Sequence, residues 1–158
     1  MNGYSRTQIG LHWATLAALF VAFFTHDAME HAFRAAMRGT GTGLSTVAWV
    51  HVIAGLSVLS IAVWRLMLRL TRTAPAPGPG PVALRTAAAV VHWVLYALML
   101  SLPLAGAIAW FGGVGAAGAV HGLLFNIGLG LVGLHVAAAL FHHYVLRDGL
   151  LGRMVRAA

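Results

Sequence analysis

An all-α integral membrane four-helix bundle is the fold class this sequence predicts, on three observations. Only 8% of the 158 residues are charged and 60% are hydrophobic, with a mean hydropathy of +0.85; a soluble domain carries roughly 25% charged residues. Four apolar runs reach the about 20 residues that a helix needs to cross a bilayer. None of them alternates apolar and polar residues as barrel strands do, and lipid accepts only helices or closed barrels. A single transmembrane domain over residues 1–158 follows.

The first run extends from about Gln8 to His26, the second from Thr46 to Leu68, the third from about Leu84 to Phe111 and the fourth from about Ala117 to Leu146. The first has no persuasive cleavage site and carries His12, so it reads as a span rather than a signal peptide. The loop after it, "HDAMEHAFRAAMRGTGTG", holds Asp27, Glu30, Arg34 and Arg38 and has the makings of a short interfacial helix. "TAPAPGPGP" (Thr73 to Pro81) is too rich in proline for a helix and is expected as an extended connector. "FGGVGAAG" (Phe111 to Gly118) reads as a short turn. Pro103 is expected to kink the third span and free the carbonyl of Met99.

All ten basic residues are arginine, and they sort by side. Arg6, Arg65, Arg69, Arg72, Arg85, Arg147, Arg153 and Arg156 fall on one face of a four-span arrangement, Arg34 and Arg38 on the other. That asymmetry predicts cytoplasmic termini. No basic run resembles a nucleic-acid stripe. The chain has no cysteine, which excludes disulfides, Cys-rich zinc sites, iron–sulfur clusters and thioether-bound haem.

The nine histidines are what such a bundle has to explain, because polar groups inside a span are costly and usually functional. His121 and His135 are 14 residues apart. At about 100° per residue they share one face, about 21 Å apart along the axis, one near each leaflet of a core about 30 Å thick. Gly128 stands midway on the same face and removes side-chain bulk between the two levels. Other spans supply partners at matching depth: His12 for His135 on the cytoplasmic side, His51 for His121 on the periplasmic side. Gly10 and Gly55 offer clearance beside them for a ring system. Paired neutral imidazoles fill both axial positions of haem iron. His12, His51, His121 and His135 are therefore expected to ligate two haems. Each ring's other nitrogen needs a partner, for which the carbonyl one turn earlier is expected: Gln8, Val47, Ala117 and Leu131 respectively. Arg65, 14 residues after His51, is expected to pair with a propionate of the cytoplasmic haem.

A lone intramembrane histidine is more often an interhelical hydrogen-bonder than a ligand; four of them on three helices, matched in depth, favour ligation. His26 shares a face with His12 and is an alternative to His51, although a span end favours a solvated role. His92 is an alternative cytoplasmic ligand or a pocket residue. His142 continues the face of His135 to the cytoplasmic rim, where His142, His92 or Ser5 is a candidate partner for a quinone. His143 reads as interfacial, His31 as solvated, and Arg34 and Arg38 as a solvated loop rather than an anion site. Trp49 and Trp110 suit an aromatic belt, whereas Trp13 and Trp93, each directly after a histidine, are belt residues or pocket walls.

The sequence resembles the bacterial cytochrome b561 family over nearly its whole length. The resemblance rests on "YSRTQIGLHW", "HVIAGLSVLSIAVWRLMLRL", "HWVLYALMLSLPLAGAI" and "GLHVAAALFHHY". It implies a four-helix membrane protein with two b-type haems, and it carries the family's ligand pattern onto His12, His51, His121 and His135. It also implies electron passage across the inner membrane. Superoxide oxidase members pass an electron from periplasmic superoxide to ubiquinone, and related cytochromes serve as membrane subunits of hydrogenases and formate dehydrogenases. This chain departs from the superoxide oxidase pattern in its very short third loop and in Gly122 after His121.

Two axial histidines leave no open iron position, so outer-sphere electron transfer is expected rather than oxygen activation at the metal. The first reading is thus a di-haem cytochrome between a periplasmic donor, such as superoxide, and ubiquinone. The second is an electron-transfer subunit of a hydrogenase or dehydrogenase complex. The third is a metal or proton translocator with the histidines as a relay; relays commonly contain Asp or Glu, and none lies clearly within a span.

Overall fold

A computed structural model describes residues 4–71 and 81–156. These form five α-helices and no strand: α1 (Arg6–Phe24), α2 (His26–Met37), α3 (Thr46–Thr71), α4 (Val82–Phe111) and α5 (Gly115–Phe141). A π-helical turn (His142–Leu146) and a 3-10 turn (Leu151–Met154) follow α5. Four segments are long and apolar enough to cross a membrane: α1, α3, α4, and α5 with its π turn. Arg72 and the proline-rich connector, apart from Pro81, lie outside the described residues.

Local chemistry sets the helix ends. Ser5 and Gln8 form a capping box at α1: Ser5 Oγ accepts the Gln8 N–H at 3.3 Å and Gln8 Oε1 accepts the Ser5 N–H at 3.0 Å. The loop expected after the first span is mostly helical, because α2 starts one residue beyond the C-cap Thr25. The turn expected from Phe111 to Gly118 shrinks to residues 112–114, with Gly113 at φ 65° supplying the left-handed step that reverses the chain. α4 continues through the buried Pro103.

α3 is the central helix and packs on both α1 and α4, and α4 packs on α5. It does so through small side chains: Ala48, Ala54, Val58 and Ala62 are buried, which lets backbones approach as membrane helices do. α1 and α5 close the ring differently, meeting through large side chains such as Phe23 against Phe125 at 6.2 Å between ring centroids. Space is therefore left inside the bundle. Large apolar residues point outward instead: Phe20 and Leu123 are 62% and 61% exposed, the surface a helix needs against lipid.

Candidate functional site

The antiparallel spans bring side chains together at two levels. At the first, His51 and His121 face each other with ring centroids 6.3 Å apart and ring planes at 72°. Their outer nitrogens are held by neighbouring helices. His51 Nδ1–H donates to the Ala22 carbonyl at 2.9 Å and lies 3.3 Å from Thr25 Oγ1. His121 Nδ1–H donates to the Leu102 carbonyl at 2.8 Å. A carbonyl only accepts, so Nδ1 carries the proton and Nε2 keeps its lone pair in both rings.

These partners replace Val47 and Ala117, the carbonyls expected from the same helix. Ala22 lies in the last turn of α1, where carbonyls lack helical partners. Leu102 is reachable because the residue four positions on is Gly106. A Cβ at Gly106 would stand 2.9 Å from His121 Nδ1.

His26, expected as solvated, instead belongs to this level. Its ring stacks on Phe125 at 4.9 Å and 8°, and its centroid is 6.2 Å from that of His51. A cavity of about 460 Å³ opens here, walled by His26, His51, Gly55, His121, Gly122 and Phe125 among others. A Cβ at Gly55 or Gly122 would meet nothing within 4 Å, so these glycines face open space. α2 walls one side of the cavity through Met29 and Phe33, and the Phe33 ring lies against Gly118. Arg34 donates to Glu30 at the same wall, in keeping with an ordinary surface pair.

At the second level, His12 and His135 have centroids 6.4 Å apart with planes at 57°. His92 stands edge-on to His135 at 5.2 Å and donates Nδ1–H to its own-helix carbonyl, Ala88, at 2.6 Å. Arg65 donates to Thr15 Oγ1 at 3.1 Å and to His12 Nδ1 at 3.3 Å. Neither Gln8 nor Leu131 bonds the His12 or His135 ring among the described residues. Thr15 is buried and its hydroxyl donates to the Leu11 carbonyl at 2.7 Å, so the α1–α3 contact holds no unsatisfied polar atom. Arg69 lies over the Trp93 ring at 5.1 Å and Arg65 over Tyr96 at 5.7 Å. A Cβ at Gly10 or Gly128 would again meet nothing within 4 Å.

The rim beyond the second level is built by the C-terminal residues. His142 bonds Asp148, and Trp13 Nε1–H donates to the Met154 carbonyl at 2.9 Å. Ser5 caps α1. His143 is exposed against Tyr144, and His31 is exposed on α2.

The prokaryotic cytochrome b561 family model matches residues 3–157. The chain belongs to that family. It is 36% identical to a cytochrome b562 of Cereibacter sphaeroides over 98% of this chain and 96% of the relative. It is 36% identical to cytochrome b561 homolog 1 of Escherichia coli over 98% of both chains, and 30% identical to the probable superoxide oxidase CybB of Yersinia pestis over 96% of this chain and 95% of the relative. As a b561-family member with four long apolar helices, the chain is a multi-pass bacterial inner-membrane cytochrome of electron transport, and haem b is its implied cofactor.

Three site residues were not reached from the sequence. Gly106 carried a signal in "PLAG", a small residue one turn beyond the carbonyl that His121 uses. Phe125 falls four residues after His121 on the same face. Asp148 had none, since its six-residue separation from His142 matches no helical neighbour.

Proposed function

We propose that this protein is a di-haem cytochrome b that carries electrons from a periplasmic one-electron donor, superoxide, to ubiquinone on the cytoplasmic side. His51 with His121 and His12 with His135 would hold the two haems, and both termini are cytoplasmic. The observation that carries this reading is the repeated ring separation, 6.3 Å and 6.4 Å. Two metal–imidazole bonds of about 2 Å, plus roughly 1.1 Å from each ring centre to its nitrogen, would add to about 6.2 Å. A free Nε2 on His51 and on His121, and a 460 Å³ cavity lined by both rings, fit the same group. Bound there, haem supplies a one-electron couple shuttling between ferric and ferrous iron.

The surrounding residues have defined work. The Ala22 and Leu102 carbonyls fix ring orientation and tautomer. Arg65 is a donor only, so its bond makes His12 Nδ1 the acceptor. Ligation through His12 Nε2 would need the proton on Nδ1, and the Arg65 guanidinium would then be available to a propionate. His142 and His92 face the quinone. All three carboxylates of the chain lie outside the spans, Asp27 and Glu30 on α2 and Asp148 after the π turn. That placement suits electron transfer better than an intramembrane proton relay.

Purified protein should be red, be reduced by pulses of superoxide in the absence of any partner protein, and be reoxidised by added ubiquinone. Reduction only through a dehydrogenase or hydrogenase partner would overturn the donor assignment, and a colourless, fully helical preparation would overturn the haem assignment.

A further inference from the structure

The chain after α5 reverses sharply. The π turn ends on Arg147 in the left-handed region (φ 51°, ψ 36°), and Gly149 follows at φ 73°. A non-glycine residue there costs roughly 1–2 kcal/mol, so something has to hold the turn. The Arg147 N–H donates to the His142 carbonyl, and the Asp148 N–H reaches the same oxygen at 3.4 Å. Through its side chain, Asp148 accepts His142 Nδ1–H on Oδ2 and the Leu150 N–H on Oδ1 at 3.0 Å. The Asp148 side chain is 8% exposed and that of His142 24%. Next along the chain, Met154 is tied to Trp13, the neighbour of His12.

We propose that Asp148 is a positioning residue for quinone reduction, holding His142 by Nδ1–H so that Nε2–H of the imidazolium meets a quinone carbonyl and gives it a proton. This rests on the quinone role of His142 proposed above. Reduction of one quinone to quinol takes two electrons and two protons. Two superoxide ions supply the electrons through the cytochrome and leave as dioxygen. His142 supplies a proton from Nε2 with each electron and is reprotonated there from cytoplasmic water. Asp148 stays ionised and keeps Nδ1–H throughout, as the carboxylate of a His–Asp pair does. Burial alone would push its carboxyl up. The bond from His142, the Leu150 N–H and the charges of His142 and Arg153 outweigh that and hold it below the usual carboxylate range.

The test uses the haem-loaded protein in detergent with a short-chain ubiquinone, in wild type, Asp148→Asn, Asp148→Glu and His142→Ala. Asparagine keeps one of the two accepting oxygens and loses the charge, so at most one of the two bonds survives. Asp148→Asn should lower kcat about ten-fold or more with KM nearly unchanged, and Asp148→Glu should restore it. Independently of turnover, ¹⁵N NMR of the His142 ring should show a hydrogen-bonded proton on Nδ1 in wild type and a changed Nδ1–H signal in Asp148→Asn. Wild-type kcat in Asp148→Asn, or an unchanged His142 spectrum, overturns the role of Asp148. Unchanged quinone reduction in His142→Ala overturns instead the quinone reading on which it rests. If Asp148→Asn does not assemble, the wild-type spectrum decides: a ring without a proton on Nδ1 refutes the proposal.

Discussion

Gly106→Ala isolates the reason that His121 is held where it is. The added Cβ would stand 2.9 Å from His121 Nδ1 and 3.0 Å from Cε1, against about 3.5 Å for an ordinary contact. Both neighbours belong to a ring pinned by the 2.8 Å bond to Leu102 on the same helix as the new methyl. The ring has to retreat about 0.5 Å, which stretches that bond past the about 3.2 Å at which such bonds end. Losing it costs about 1 kcal/mol and the overpacking about 1–3 more, so about 2–4 kcal/mol falls on one level of the bundle. Haem per protein, measured after extraction, should drop from two towards one, and the remaining haem should keep its spectrum. Gly133→Ala is the control, since a Cβ there meets nothing within 4 Å, and it should change neither quantity. Full haem content and unchanged thermal stability in both Gly106→Ala and Gly106→Val would show that the Gly106 gap has nothing to do with seating His121.

Further outcomes can be checked with the same preparations. His121→Ala should lose one haem and spare the other, as should His135→Ala at the opposite level; retention of both haems in either variant would shift the assignment to His26 or His92. Trp13→Phe removes one hydrogen bond to Met154, worth about 0.5–1.5 kcal/mol, and should speed hydrogen exchange in Leu151–Met154 without changing haem content. Asp148 titrates below its ordinary 3.8. Its stabilisation of the tail is therefore complete above that value and fades as pH falls through the lower folded one; amide exchange over residues 147–150 should rise there, and an acid-insensitive tail would refute the linkage.

The spans were legible because hydropathy needs only composition, and the two levels because helical rise is fixed: 14 residues separate His121 from His135 in any α-helix. α2 was half legible. Met29 and Phe33 are spaced one turn apart in the loop, but whether such a stretch folds depends on the surface it covers, here the wall near Gly118. The hydrogen-bond partners of the histidine rings were not legible at all. A sequence shows which carbonyl is one turn back on the same helix, not which neighbouring helix has an open one. The expected pattern does appear once, at His92 with Ala88, a ring on the periphery of the second level rather than in either facing pair.

That contrast has a physical consequence. A histidine tied to its own helix is oriented as soon as that helix forms. His51 and His121 are oriented only when α3 meets the end of α1 and α5 meets α4. Their facing arrangement therefore exists only in the assembled bundle. In a membrane, where helices form before they pack, the facing pair of rings arises together with the cavity around it. The arrangement needs both helices, since a single one offers one imidazole but not the facing pair. It also explains why small residues recur where the rings cross between helices. Gly106 is a position at which a side chain would crowd the ring against its carbonyl, and Ala54, Val58 and Ala62 bring the α3 backbone close to its neighbours. The apolar bulk that usually fills a core is turned out towards lipid, and the interior is given over to paired rings and the space between them.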